Sequence, residues 1–359
     1  MNAWRACPDC VRSAWLLARL AGHLDVQRDD VARLLGCADE DLLELVAGSH
    51  LDDVRAEWDA FDSTAYRERC AAVGVEALCR CDPAYPVRLW DLDAQPAVVH
   101  VAGGMTRFLE LAARDSVAIV GARRASPYAM ENARALARGV AGQLTVVSGM
   151  ASGVDTAAHE GALHARGGTI AVLGSSPERP YPPSGRRLHR EIIAAGAVVS
   201  ELGPGIPARR WMFPARNRII AALADMTVVV AARRGSGAML TIAEAELLGR
   251  RVGGVPGQVT APLSWGPHLV VQRGGALVSG PDDVLDALGR ERLAPASSRE
   301  RIDDPQLASL FDALADGYEG HAAFTEAGLD AEGGLAALAA LELNGCVRRQ
   351  AGGRYTIVP

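Results

Sequence analysis

Four short stretches of this 359-residue chain carry the residue types that hold a phosphate. In Phe213-Pro214-Ala215-Arg216-Asn217-Arg218, two arginines flank an asparagine just after a proline that suits a first helical turn, so three polar side chains crowd one helix start. Gly121-Ala122-Arg123-Arg124 ends an apolar run with a glycine that lets backbone approach a ligand and with arginines that can fork onto it. The stretch from Ser148 and Gly149 through Gly153 to Asp155 is richer in small residues than a packing turn needs, and Arg233-Arg234-Gly235-Ser236-Gly237 again sets arginine and glycine ahead of a helix-like segment. The shared chemistry is anion binding, because the first N–H groups of a helix lack partners and the helix dipole favours negative charge there. Each turn taken singly also reads as an ordinary junction with solvated charge. Several such helix starts in one parallel sheet would lie along the carboxyl ends of its strands, where ligands of these sheets bind.

Other chemistries find little support. All 37 basic residues are arginine, a bias that a GC-rich genome explains before function does, and without lysine no Walker loop is possible. The turn at Gly121 is not a GxGxxG fingerprint, and no acidic residue follows at the distance of a ribose clamp. No carboxylate cluster fits a two-metal nuclease. His159, among Ala157, Ala158 and Ala162, could act as a base or touch a ligand, but reads more simply as a hydrogen-bonded structural histidine. No catalytic residue and no cofactor is expected. Seven cysteines, an odd number without an export signal, argue for reduced thiols. Cys7 and Cys10 form one CxxC; a structural zinc would need two further ligands, which Cys70, Cys79 or Cys81 could supply. One CxxC alone points rather to buried or surface thiols, so no metal is expected.

The elements that must position these turns can be read from the apolar pattern. VAIVG, TVVSG, TIAVLG, AVVSE and MTVVVAA are strand-like, with helices expected near 128–141, 155–166, 185–195, 214–223 and 238–249, the second capped by Asp155. Continuous apolar strands alternating with helices predict an α/β protein with a Rossmann-like, doubly wound, mostly parallel sheet. Residues 1–73 read as a small helical N-terminal domain with aspartates, including Asp29, Asp30 and Asp39, as caps. Residues 74–105 form a proline-bearing connector with one strand-like run, VVHVAG, and 106–289 the core. A polar linker over 290–303 leads to 304–359, where three short helices and a hairpin turning at Gly352 and Gly353 suggest a winged-helix-like domain. Charge follows the same division. Residues 114–274 carry net +9 while the rest carries −15, so an acidic protein holds a basic middle suited to a polyanion. The acidic C-terminal module is expected in a protein-contact or structural role. No run is long enough for a membrane span, which predicts a cytoplasmic protein without membrane partners.

The blocks VAIVGARRAS, VVSGMASGVDTAAHEGAL, TIAVLG, YPPS, VVSELGPG, FPARNRIIAAL and SGAMLT together resemble the DNA processing protein A (DprA/Smf) family, over about residues 82–288. The resemblance implies a core that binds single-stranded DNA, dimerises, and helps load RecA recombinase onto incoming DNA during natural transformation. It implies DNA-contacting roles for Gly121, Ala122 and Arg123, with Arg124 beside them, for Ser148, Gly149 and Gly153, for Phe213, Pro214, Arg216, Asn217 and Arg218, and for Ser236 and Gly237. Arg186 and Arg187 stand nearest the basic position that usually follows the family's YP pair. The alternative is a nucleotide-binding enzyme or sensor, since Thr241-Ile242-Ala243-Glu244 faintly resembles the end of a phosphoribohydrolase motif whose paired glycines are missing here.

Overall fold

The computed structural model describes residues 4–27, 30–290, 302–349 and 355–358. The chain divides into two compact units, 1–290 and 291–359. The first is built on nine strands: β1 (Val75–Cys79), β2 (Val98–Ala102), β3 (Ser116–Gly121), β4 (Thr145–Ser148), β5 (Thr169–Val172), β6 (Ala197–Ser200), β7 (Met226–Ala231), β8 (Arg251–Gly254) and β9 (Ala276–Leu277). Their order is β1-β2-β6-β5-β4-β3-β7-β8-β9. The seven strands from β6 to β9 run parallel, and β1 and β2 add an antiparallel edge.

Helices cover both faces, which is why the strands are apolar throughout rather than alternating. Val117 and Ile119 of β3 pack on one side against helices Pro127–Val140 and Val154–His164; Ala118 and Val120 pack on the other against Met105–Ala113 and Met212–Leu223. Alternate residues of one strand thus feed two cores. The five expected helices are present, the others being Arg186–Ala195 and Gly237–Leu247. Asp155 does not cap its helix: Gly153 holds the N-cap position, and the Asp155 side chain turns inward.

Two expectations change. The segment 74–105 is not a mere connector, since it supplies β1 and β2 to the sheet. Nor do residues 1–73 pack as a separate body. Leu16, Leu20, Leu24, Leu34 and Leu43 are fully buried in a cluster that includes Leu202, Trp211 and Met212 of the core, and the Trp211 indole N–H donates to the carbonyl of Ala21 at 2.9 Å. Burying each such leucine in this cluster contributes roughly 1.5–3 kcal/mol relative to leaving it exposed. The aspartate caps also fail in part. Asp30 makes no capping bond, Asp39 sits inside its helix, and Asp29 lies outside the described residues, while Asp62 does cap Ser63–Ala72.

In the second unit, helices Pro305–Ala315, His321–Glu326 and Ala331–Leu343 surround a core of Leu310, Phe311, Phe324, Leu338 and Leu341. Strands Val347–Arg349 and Tyr355–Ile357 pair antiparallel; the hairpin tip at Gly352 and Gly353 and most of the expected linker lie outside the described residues. Among the described residues no helix is long and apolar enough to cross a membrane.

Candidate functional site

The chain winds from β3 outward to β6, then returns to the other side of β3 to lay down β7 to β9. Connections leaving β3 and β7 therefore diverge, and a crevice opens at their carboxyl ends. The pairing of the two strands shifts register between Val120 and Gly121, and Ala122 N–H donates to the carbonyl of Ala231 at 2.7 Å. A cleft of about 800 Å³ lies there. It is lined by Gly121, Ala122, Arg123 and Arg124 after β3, by Phe213, Pro214, Arg216 and Asn217 at one helix start, and by Ser236 and Gly237 at another. Three of the four turns singled out in the sequence thus contribute predicted residues to one concave surface. The remaining turn reaches the cleft through Ala151 and Asp155, and its Gly149 lines a smaller adjoining hollow that shares Arg123, Tyr181, Phe213 and Arg216 with the cleft.

The arginines divide into two kinds. Arg123, Arg124, Arg210 and Arg233 are exposed, line the cleft, and make no ion pair among the described residues. Arg216 is 8% exposed and already engaged: its guanidinium donates to the carbonyls of Gly149, at 2.6 Å, and Val172, and to the Asn217 side chain at 3.1 Å, and it stands 3.7 Å from the Asp155 carboxylate. Burial raises the Asp155 carboxyl above its usual range while Arg216 pulls it down; the same burial lowers Arg216 while Asp155 raises it. Gly149 is glycine because a side chain there would meet the Arg216 guanidinium. Arg216 therefore ties β4 and β5 to a helix start beneath the cleft, a structural use that the resemblance does not imply.

Arg218 departs from expectation altogether. It is 7% exposed, lies outside the cleft lining, and spends its donors on Glu201 at 2.6 Å and the carbonyls of Ala94 and Ala215 at 3.0 and 2.9 Å. Ser148 is also buried, donating to the carbonyl of Ile119 at 2.7 Å. Gly153 holds a positive φ of 85°, and a side chain would strike the carbonyls of Ala122 and Arg123, so it lets two turns touch rather than facing the cleft. Arg186 and Arg187 are exposed but lie outside the lining, and Arg187 pairs with Glu191 at 3.0 Å. Asn217 supports the cleft from behind by donating to the carbonyl of Gly237 at 3.1 Å.

Aromatic residues complete the surface. The rings of Tyr181 and Phe213 lie 5.0 Å apart, and the Arg123 guanidinium sits 4.9 Å over Phe213. Tyr181 and Arg210 were not singled out as contact residues, and Arg233 was read only as part of its turn. Their signal was present as arginines beside turns and a tyrosine next to prolines, but Tyr181 and Phe213 lie 32 positions apart in the chain. Acid–base chemistry is poorly provided. The cleft's one lining carboxylate among the described residues, Asp155, faces Arg216. His159 is fully buried, bonded through Nδ1 to Thr169 at 2.8 Å, and burial, with a smaller push from Arg216, takes its pKa down to about 3. It is the structural histidine that its alanine neighbours suggest.

Known proteins resemble this chain in sequence and fold. A profile of DNA recombination-mediator protein A matches residues 76–289. The DNA processing protein DprA of Streptococcus pneumoniae is 38% identical over 204 residues, covering 57% of this chain and 71% of that protein. A putative DprA of Mycobacterium tuberculosis is 36% identical over 282 residues, covering 78% and 67%. Among solved structures, the S. pneumoniae DprA aligns with a TM-score of 0.62 at 30% identity over 77% of this chain and 95% of that one. A Helicobacter pylori DprA, described for its single-stranded DNA binding mode, aligns with a TM-score of 0.53 at 26% identity over 60% and 95%. With more than half of its length matched and a nine-stranded sheet that carries the glycine and arginine turns to one cleft, this chain belongs to the DNA recombination-mediator protein A family.

Proposed function

We propose that this protein binds single-stranded DNA in the switch-point cleft and acts, without catalysis, as a cytoplasmic homodimeric mediator that helps load RecA onto incoming DNA during natural transformation. The observation that carries the binding reading is the pairing of guanidinium groups that form no ion pair among the described residues with a Tyr181–Phe213 aromatic face in one cleft. Guanidinium groups neutralise phosphates whatever the sequence, and aromatic rings stack any base, which is how sequence-tolerant single-strand binders work. The H. pylori relative's single-strand binding supports the same ligand. Recombinase loading and dimerisation rest on family membership.

The test is titration of labelled oligo-dT against duplex, with mononucleotides as competitors. Affinity for oligo-dT is expected to exceed that for duplex and to fall steeply with salt, since each neutralised phosphate releases counterions. A binding constant flat between low and moderate salt sinks the reading. Displacement by mononucleotides at stoichiometric levels would favour the alternative, a nucleotide-binding enzyme or sensor using the same cleft.

The acidic C-terminal unit should be dispensable for this binding. Every cleft residue lies within 120–263, and the last unit has its own core. Deleting residues 300–359 is expected to change oligo-dT affinity by no more than about twofold, which is under ~0.5 kcal/mol. A truncated, folded protein that no longer binds would move the site to the second unit.

A further inference from the structure

We propose that Cys7, Cys10, Cys79 and Cys81 form a structural zinc site that fastens the N-terminal helices to the edge of the sheet. The sequence argued against a metal because it offered one CxxC alone, with Cys70, Cys79 and Cys81 as undecided candidates for the two further ligands. Folding supplies that complement from 72 residues away: the four sulfur atoms all lie within 4.8 Å of one another, and Cys10 Sγ is 3.6 Å from Cys81 Sγ. Tetrahedral zinc with four thiolates at about 2.3 Å requires sulfurs about 3.8 Å apart. A disulfide requires about 2.05 Å, and all four cysteines are free thiols.

The surroundings suit a bound thiolate cluster. Cys7 is the N-cap of helix Pro8–Arg19 and Cys10 lies in its first turn, where the helix dipole favours negative sulfur. The Cys7 N–H points at Cys79 Sγ at 3.4 Å. The other arm leaves the end of β1, the outermost strand of the sheet, as Cys79-Arg80-Cys81. The two arms are docked by contacts that owe nothing to sulfur: Arg5 N–H donates to Ala77 at 2.8 Å, Cys79 N–H donates to Arg5 at 3.1 Å, and Arg5 pairs with Asp82 at 2.8 Å. A ligand set of sulfur alone selects zinc over magnesium, calcium or manganese. Cys70 provides the contrast. It is fully buried beside Tyr66 in the same apolar cluster as Cys10 and Cys79, yet it stands outside the group of four. Because β1 lies at the opposite end of the strand order from β9, with four strands between it and β3, the site holds the fold and does not reach the cleft.

The test uses the full chain purified under reducing conditions without a metal-affinity tag. Elemental analysis should find about one zinc per chain, a strong chelator should remove it with a fall in melting temperature, and cobalt should replace it with the visible absorption of a tetrahedral thiolate centre. Cys81 is exposed, so Cys81→Ser should fold and bind metal at least about tenfold more weakly, whereas Cys70→Ser should keep full metal content. Should Cys81→Ser fail to fold, competition of the wild type with a chromophoric chelator decides the matter. A metal-free wild type that takes up no cobalt, undiminished affinity in Cys81→Ser, or a Cys10–Cys81 disulfide found by peptide mapping would each overturn the proposal.

Discussion

Arg216→Ala is expected to lower stability by about 3–5 kcal/mol, the usual cost of removing one partner from a buried ion pair. The substitution strands the Asp155 carboxylate, 6% exposed, and leaves the carbonyls of Gly149 and Val172 without the donor that now serves both. The pH dependence gives the cause a signature. Burial already raises the Asp155 carboxyl in the folded state, and Arg216 is the largest influence opposing that rise. Without it the folded pKa climbs further above the unfolded value. A raised carboxyl favours the folded state most when protonated, so the variant should regain stability as pH falls from neutral through the folded pKa of Asp155, and the gap to wild type should narrow. Thermal unfolding of both proteins from neutral to mildly acidic pH checks this. A small loss of stability at neutral pH with a large loss of DNA affinity would return Arg216 to the role of a phosphate contact. The double variant Asp155→Ala with Arg216→Ala should cost less than the two single losses combined, because the stranded charge is gone.

The contrast between Arg216 and Arg123 marks where sequence reading ends. A glycine and an arginine just after an apolar run are local signals, and the structure sets Gly121 and Arg123 at the cleft. The exposure of an arginine on a helix is not local. Arg216 is covered because β4 and β5 end with carbonyls aimed at it, and Arg218 because the loop at Ala94 and the carboxylate of Glu201 close over it. Tertiary contacts of this reach leave no trace in the ARNR spacing itself. The inner strands were legible for the same reason that Arg123 was, their apolar runs being covered on both faces. At the margins the pattern thins: β8 is Arg251-Val252-Gly253-Gly254 and β9 has two residues, and neither carries enough apolar periodicity to be recognised. Cys79 and Cys81 could be named as candidate ligands but not told apart from Cys70 until β1 is docked beside the first helix, since nothing in the intervening 68 residues announces the approach.

Arg123→Ala is expected to weaken oligo-dT binding by roughly ten- to a hundredfold, since a charge-assisted contact contributes about 1.5–3 kcal/mol and ~1.4 kcal/mol is a factor of ten. Its melting temperature should stay near wild type. The side chain is exposed, forms no ion pair among the described residues, and its stacking on Phe213 at 4.9 Å contributes only about 0.5–1 kcal/mol in an exposed setting. Two further readouts separate a phosphate contact from a loss of shape. The slope of log affinity against log salt should become shallower by about 0.7, one phosphate's share for a single strand, and Arg123→Lys should keep that slope while losing part of the affinity through its missing fork. Arg186→Ala supplies the control on the same domain, because Arg186 is also exposed but stands outside the cleft. Its affinity should change by less than about twofold, well under the ~1.4 kcal/mol that makes a factor of ten. Intact binding in Arg123→Ala together with lost binding in Arg186→Ala would place the strand along the Arg186–Ala195 helix, and the switch-point cleft would then need another ligand.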